Sequence, residues 1–271
     1  MEQFIKIEIE AGSPEEVEIL IAELSDIDFN AFEENKNVLN AYIHKDNFDE
    51  KRFRNILPDN AVYKVTIIEN RNWNEDWESG FQPVYINSFA GIRASFHEPL
   101  NNVNHEIIIT PKMSFGTGHH ATTYLMIEQM GNINFINKTV TDFGTGTGVL
   151  AILAEKLGAK KVIAIDHDGW SINNANENIK ANNCKLVTVA KNDTVRSGEQ
   201  PDIIMANINL DILLLNSGDI SRLSYSGNLL LISGFLTNDK EAILKTFNAY
   251  GFTEIVDSER ENWASLLLIK D

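Results

Sequence analysis

A glycine-rich turn between two apolar runs carries the clearest chemical signature in the sequence. Residues 139–168 are TVTDFGTGTGVLAILAEKLGAKKVIAIDHD, with Gly144, Gly146 and Gly148 between a predicted strand and a predicted helix. Glycine is needed where the backbone turns sharply and lies close to a ligand, because a Cβ atom would collide with it. We therefore expect a ligand at this turn, at the carboxyl ends of the strands.

Two carboxylates near this turn limit the kind of ligand. Asp166 closes the next predicted strand, 22 positions after Gly144, where it can accept both hydroxyls of an adenosine ribose. The dinucleotide pattern G-x-G-x-x-G is not met, because Val149 stands where the third glycine should be. Asp142 suits a cofactor with an ammonium group and fits poorly beside a pyrophosphate. A nicotinamide-dependent dehydrogenase is thus disfavoured, although it would share the predicted fold.

Two further stretches contain polar residues of types that bind metals or face a cofactor. FGTGHHATT, residues 115–123, is a second glycine-containing loop between a predicted strand and a predicted helix. Its adjacent histidines, His119 and His120, would diverge on either kind of element, and no carboxylate is near in the sequence, so we predict no metal site. Asn207 ends the fourth predicted parallel strand, where its carboxamide would face the reactive end of a cofactor or cap the following helix.

The elements around these residues form two predicted domains. Residues 1–68 follow the order β-α-β-β-α-β, which is typical of a small ferredoxin-like α+β domain. A linker helix with Trp73 and Trp77 is predicted over 69–83. Over 84–271 strands alternate with helices, which predicts an α/β domain with a mainly parallel sheet. Only four residues, 259–262, separate the last two strands, so the last strand should be antiparallel.

The motifs also resemble a known family. The pattern D-x-G-x-G-x-G resembles the first motif of class I S-adenosylmethionine-dependent methyltransferases. FGTGHHATT, the glycine-rich stretch and ANI, in this order and spacing, resemble the PrmA family, whose members methylate large-subunit ribosomal protein eleven. The resemblance extends to the WNEDW linker and the small domain. It implies a Rossmann-like sheet of seven strands, S-adenosylmethionine as the cofactor, and lysine and N-terminal amines of the ribosomal protein as acceptors.

The resemblance also implies roles for individual residues. Asp166 would hold the ribose, and Asn207 would lie near the methyl group and orient the amine without a dedicated general base. The small domain would recognise the substrate, and the linker would let it reposition. The residues expected to bind the cofactor are Thr123, Gly144, Asp166, Asn207, Asp142, Gly146, Phe115 and Gly116.

Alternatives of other classes remain open at this point. The chain could methylate another protein or RNA, or it could bind the cofactor near the ribosome without catalysis. Ile208, Asn209 and Leu210 follow Asn207 in place of two prolines and an aromatic residue, a motif of enzymes that methylate base amines. A protein amine is therefore favoured over a nucleobase.

Charge and composition limit the partners. The chain has 23 Lys and Arg against 39 Asp and Glu, so direct binding to nucleic acid or to anionic membranes is disfavoured. The single cysteine, Cys184, and an N-terminus unlike a signal peptide predict a cytoplasmic protein, which we expect to be a monomer. Residues 1–82 contain 8 basic and 19 acidic side chains. We hypothesise that this acidic part attracts a basic ribosomal protein.

Overall fold

The chain divides into two compact units, residues 1–81 and 82–271, in the computed structural model. Most of the linker helix predicted over 69–83, including Trp73 and Trp77, lies outside the described residues. Among the residues that the structure describes, no helix is both long enough and apolar enough to cross a bilayer. The described residues are 4–10, 13–25, 27–29, 31–35, 38–58, 61–68, 81–112, 114–195 and 200–271.

The first unit is a four-stranded antiparallel sheet with two helices. Its strands lie in the order β2-β3-β1-β4, as expected for the predicted ferredoxin-like domain. The apolar residues that alternate along β1, such as Ile7, are buried against Leu24 of α1 and Phe53 of α2. Ser13 caps α1 by accepting the Glu16 N–H at 3.3 Å. The elements are β1 (Phe4–Glu10), α1 (Pro14–Ser25), β2 (Ala31–Asn35), β3 (Val38–His44), α2 (Glu50–Ile56) and β4 (Tyr63–Ile68).

The second unit opens with a three-stranded sheet, of which the sequence patterns predict only the third strand. Strand β5 (Val84–Ile86) pairs antiparallel with β6 (Ala90–Ala94), which pairs parallel with β7 (His105–Ile109). The expected alternation of strands and helices is therefore wrong for residues 84–109. Arg93 of β6 is buried and pairs with Glu106 of β7 at 2.9 Å. A buried ion pair of this kind interrupts the apolar pattern by which strands are predicted.

The main sheet of the second unit has seven strands in the order β10-β9-β8-β11-β12-β14-β13. The first five are parallel, and β14 is inserted antiparallel between β12 and β13. The predicted seven-stranded sheet with an antiparallel last strand is confirmed. The strands are β8 (Thr139–Phe143), β9 (Lys161–Asp166), β10 (Val187–Lys191), β11 (Ile203–Asn207), β12 (Leu229–Leu236), β13 (Phe252–Arg260) and β14 (Trp263–Lys270).

Helices pack against this sheet and bury its central strands. In β11 the first four residues, 203–206, are all buried, which is typical of a parallel strand that is covered on both faces. The helices are α3 (Ala121–Met130), α4 (Val149–Lys156), α5 (Gly169–Ala181), α6 (Leu210–Leu223) and α7 (Lys240–Ala249). Ile204 packs in one cluster with Leu213 of α6 and Phe247 of α7.

Asp202, directly before β11, connects three elements through its side chain. Its Oδ2 accepts the N–H of Thr139 at 2.7 Å and the Thr139 hydroxyl at 2.8 Å, and its Oδ1 accepts the Tyr225 hydroxyl at 2.8 Å. Partial burial acts to raise the pKa of Asp202, but these hydrogen bonds outweigh it and lower the pKa to about 2. The carboxylate therefore stabilises the fold above the ordinary Asp pKa.

We predict that Asp202→Asn lowers the free energy of unfolding by about 2 kcal/mol at pH 7. Because the folded pKa is lowered, the difference from wild type should be constant above pH 5 and shrink as the pH falls towards 2. Denaturant unfolding at pH 7, 4 and 3 measures it. Asp46→Asn, at a side chain that is 86% exposed, is the control and should change stability little. A difference that does not vary with pH would contradict the assignment.

Candidate active site

The glycine-rich turn joins β8 to α4 and has the conformation that glycine favours. Gly144, Gly146 and Gly148 have φ angles of 77°, 54° and 80°. A Cβ atom on Gly146 would lie 2.3 Å from the carbonyl oxygen of Phe115, and one on Gly144 would lie 2.2 Å from Cγ2 of Ile208. The glycines are thus required both by the backbone conformation and by the close approach of two neighbouring loops.

The loop that contains Phe115 and Gly116 is hydrogen-bonded to the glycine-rich turn. Thr147 donates its N–H to the Phe115 carbonyl at 2.9 Å and its hydroxyl to the Gly116 carbonyl at 2.7 Å. The Phe115 side chain is 51% exposed and lies at the edge of a cavity. The two glycine-containing stretches of the sequence therefore pack against each other.

Asp166, the last residue of β9, supports the turn and faces the cavity. Its Oδ2 accepts the N–H of Gly146 at 2.9 Å, and its Oδ1 accepts the N–H of Asp168 at 3.0 Å. Each carboxylate oxygen has a further lone pair. Asp166 can therefore hold the turn and still accept hydroxyls from a ligand.

The cavity at this edge of the sheet has a volume of about 500 Å³, within the range of small-molecule sites. Five of the eight residues predicted to bind the cofactor line it, and three lie behind the lining. Thr123 and Asp142 are fully buried, and Gly116 is held by Thr147. The five lining residues are Phe115, Gly144, Gly146, Asp166 and Asn207.

Asn207, the last residue of β11, presents an unsatisfied acceptor. Its Nδ2 donates to the hydroxyl of Thr123 at 3.5 Å, whereas its Oδ1 is buried and has no hydrogen-bond partner in the described structure. A buried acceptor without a donor is costly, so one that persists needs an explanation such as a ligand. The structure thus brings Thr123 and Asn207 into contact and leaves the amide oxygen of Asn207 without a hydrogen-bond donor.

A bulge in β12 positions the backbone that follows Asn207. The N–H of Ile208 donates to the carbonyl of Ser233 at 3.1 Å, and the pairing of β12 with β14 shifts between Ser233 and Phe235. Gly234 lies at this shift with a φ of 99°, and a Cβ atom there would lie 2.1 Å from the Ile208 carbonyl oxygen. The sequence patterns do not predict this role, because a glycine near the end of an apolar strand has no distinguishing spacing.

Asp142 is buried beneath the turn. Burial raises its pKa to about 7, although the Thr145 hydroxyl donates to its Oδ2 at 2.6 Å and so acts to lower the pKa. The neighbouring charge of Asp166 raises the pKa further. Its Oδ1 has no hydrogen-bond partner in the described structure. A cation in the cavity would favour the ionised form of this carboxyl group.

The two adjacent histidines point to different structural partners. His120 caps α3, because its Nδ1 accepts the N–H of Thr122 at 3.3 Å. His119 Nε2 lies 3.1 Å from the carbonyl oxygen of Gln82. Within the described ranges, no group of three or more His, Cys, Asp or Glu side chains has the arrangement of a metal site.

Comparison with known proteins identifies the family. The family model described as "Ribosomal protein L11 methyltransferase (PrmA)" matches residues 7–271. The ribosomal protein L11 methyltransferase of Phocaeicola vulgatus is 35% identical over 261 residues, which are 93% of each chain. That of Porphyromonas gingivalis is 39% identical over 264 residues, which are 94% of this chain and 91% of its own.

A solved structure agrees with these relatives. The crystal structure of ribosomal protein L11 methylase from Lactobacillus delbrueckii subsp. bulgaricus matches with a TM-score of 0.65 and 26% identity. The match covers 70% of this chain and 100% of that one. The chain therefore belongs to the PrmA family of ribosomal protein L11 methyltransferases, as its motifs predicted.

Proposed function

We propose that this chain transfers methyl groups from S-adenosylmethionine to lysine side-chain and N-terminal amines of ribosomal protein L11, as a monomer in the cytoplasm. Family membership supports methyl transfer to ribosomal protein L11. The single structural observation that supports this site is the buried Oδ1 of Asn207, which lacks a donor beside the glycine-rich turn. An amine N–H is a donor of the required kind.

The residues around the cavity fit this cofactor. Gly144 and Gly146 line the cavity with backbone atoms, and Asp166 has free lone pairs for the ribose hydroxyls. Asn207 lies two strands away from Asp166, since β8 separates β11 from β9, and Thr123 of α3 contacts Asn207. When bound, the cofactor supplies an electrophilic methyl group on a positively charged sulfur.

The acceptor amine must be neutral to attack that methyl group. An α-amine in water has a pKa of about 8 and a lysine amine one of about 10.4, so at pH 7 about 10% of the former and about 0.04% of the latter are neutral. For lysine, deprotonation costs on the order of 4.6 kcal/mol, which desolvation and the nearby sulfonium charge can offset. The protein therefore has to align the amine and avoid stabilising its charged form.

The distribution of charge around the cavity suits that requirement. Asn207 is an uncharged acceptor, whereas the carboxylate of Asp166 lies at the end of β9. With adjacent strands about 4.8 Å apart, the ends of β11 and β9 are separated by about 10 Å. An amine bonded to Asn207 Oδ1 is thus held away from that carboxylate, and no dedicated general base is needed to orient it.

We predict that the chain labels ribosomal protein L11 when it is incubated with methyl-labelled S-adenosylmethionine, and that ribosomal RNA remains unlabelled. Asp166→Ala should weaken cofactor binding at least tenfold by calorimetry, because it removes both the ribose acceptor and the acceptor of the Gly146 N–H that holds the turn. Label on RNA would overturn the substrate assignment, and cofactor binding without any labelling would indicate a non-catalytic protein.

We predict that the KM for L11 rises with salt, because the acidic N-terminal part attracts a basic substrate.

We predict that Asn207→Asp lowers kcat for a lysine acceptor at least tenfold at pH 7. The new carboxylate would raise the pKa of the bound amine by a unit or more, so the loss should shrink as the pH rises towards 9. Rates over pH 7–9 with saturating cofactor measure the effect. Asn176→Asp adds the same charge at an exposed residue of α5 that does not line the cavity and should change the rate far less. An unchanged or faster rate for Asn207→Asp would refute this account of the amine.

We predict that cofactor binding is linked to ionisation of Asp142, whose pKa burial raises to about 7. The cationic cofactor favours the carboxylate, so ionisation above pH 7 should strengthen wild-type binding relative to that of Asp142→Asn. The ratio of the variant Kd to the wild-type Kd should therefore rise several-fold from pH 6 to pH 8. Calorimetric titrations of both proteins at each pH measure this ratio. If the ratio were the same at both pH values, Asp142 would not be linked to binding.

A further inference from the structure

Three asparagines form a ladder along α5 and its C-terminal cap. Asn174 and Asn178 lie on the same side of α5, and Asn182, four residues further on, is the residue that caps its C-terminal end. Asn174 and Asn178 are fully buried. Buried amides are costly unless they are hydrogen-bonded, so their partners indicate what the ladder does.

Asn178 joins two segments that are far apart in sequence. Its Oδ1 accepts the N–H of Thr110 at 2.7 Å, and its Nδ2 donates to the carbonyl of Thr147 at 2.8 Å. Thr110 follows β7 and leads into the loop of Phe115, whereas Thr147 belongs to the glycine-rich turn. Asn174 Nδ2 also donates to the Thr110 carbonyl at 3.0 Å.

Thr147 is the point at which these contacts meet. Its carbonyl accepts from Asn178, its N–H donates to Phe115 and its hydroxyl donates to Gly116. The glycine-rich turn is therefore held from the side of α5 and from the side of the Phe115 loop at the same residue. Displacing Thr147 would disturb its contact with the Phe115 carbonyl, which also packs against Gly146 where a Cβ atom would lie 2.3 Å away.

We propose that Asn178 is a positioning residue for cofactor binding, which ties Thr110 to Thr147 and so holds the Phe115 loop and the glycine-rich turn at the separation that the cavity requires. This inference rests on the proposed function, because the cofactor is taken to be S-adenosylmethionine. Asn178 touches neither the cofactor nor the substrate; it acts through the backbone of Thr147. Its loss should therefore weaken binding of the cofactor and leave the transfer step nearly unchanged.

Asn182, at the C-terminal cap of the same helix, provides a matched control. Its Oδ1 accepts the N–H of Ile108 at 3.0 Å, and its Nδ2 donates to the carbonyl of Ile108 at 2.6 Å and to that of Asn178 at 2.8 Å. It thus joins α5 to β7 with the same chemistry as Asn178, but its hydrogen bonds do not reach the glycine-rich turn. A variant at Asn182 reports the general cost of loosening α5.

The experiment compares Asn178→Ala, Asn182→Ala and Asn178→Asp by calorimetric titration with S-adenosylmethionine, by thermal unfolding and by kcat at saturating cofactor. We expect both alanine variants to lower Tm, but only Asn178→Ala to raise the Kd, by about tenfold. Its kcat should stay within about twofold of wild type. Asn178→Asp can still accept from Thr110 but cannot donate to Thr147, so it should share the rise in Kd. Equal Kd changes for the two alanine variants, or a wild-type Kd for Asn178→Asp, would overturn the proposal.

Amide hydrogen exchange of the wild-type protein tests the same point if the Asn178 variants do not fold. Saturation with S-adenosylmethionine should increase protection of the Thr110 and Thr147 amides more than that of the Ile108 amide. An equal change at the Thr110 and Ile108 amides would overturn the proposed role of Asn178 but not the proposed function of the chain. If the wild-type chain bound no S-adenosylmethionine, the proposed function would fail, and this inference with it.

Discussion

The candidate site depends on the close contact between the backbone of the Phe115 loop and the glycine-rich turn. The carbonyl oxygen of Phe115 occupies the space that a Cβ on Gly146 would need, and the N–H of Thr147 donates to that oxygen. Any side chain at Gly146 would push the two segments apart, and it would also be strained at a φ of 54°. One wall of the cavity is therefore built from backbone atoms, whose position side-chain rotation cannot change.

The rest of the site follows from how parallel strands end. Because β8, β9 and β11 are parallel neighbours, Gly144, Asp166 and Asn207 reach the same edge of the sheet from three different strands. Asp166 also accepts the N–H of Gly146, so a residue that faces the ligand is also part of the support for the turn. Binding and stability are thus linked at this carboxylate, and a substitution there would affect both.

Much of the fold and of the site could be predicted because their signals are local. The glycine spacing, Asp166 at a strand end and the short connection before the last strand, predicted as 259–262 and observed as 261–262, each determine structure within a few residues. Of the sheet of β5, β6 and β7, only β7 could be predicted, because the β6 pattern contains the buried Arg93. The role of Asn178 was missed for a similar reason: an asparagine-rich helix has the composition of a solvated surface, and only the tertiary structure shows that its amides bond to Thr110 and Thr147.

These features are related to two requirements that methyl transfer places on the charges in the site. A positively charged cofactor is best held by carboxylates, but an amine that must lose its proton is best held by uncharged groups. The strand order separates the two proposed roles, since the strand that ends in Asp166 and the strand that ends in Asn207 lie on opposite sides of β8. Gly234 then fixes the Asn207 side of the cavity, because the Ile208 carbonyl packs where its Cβ would be. The same device, a backbone carbonyl in contact with a glycine, positions both sides of the cavity without adding a charge near the amine.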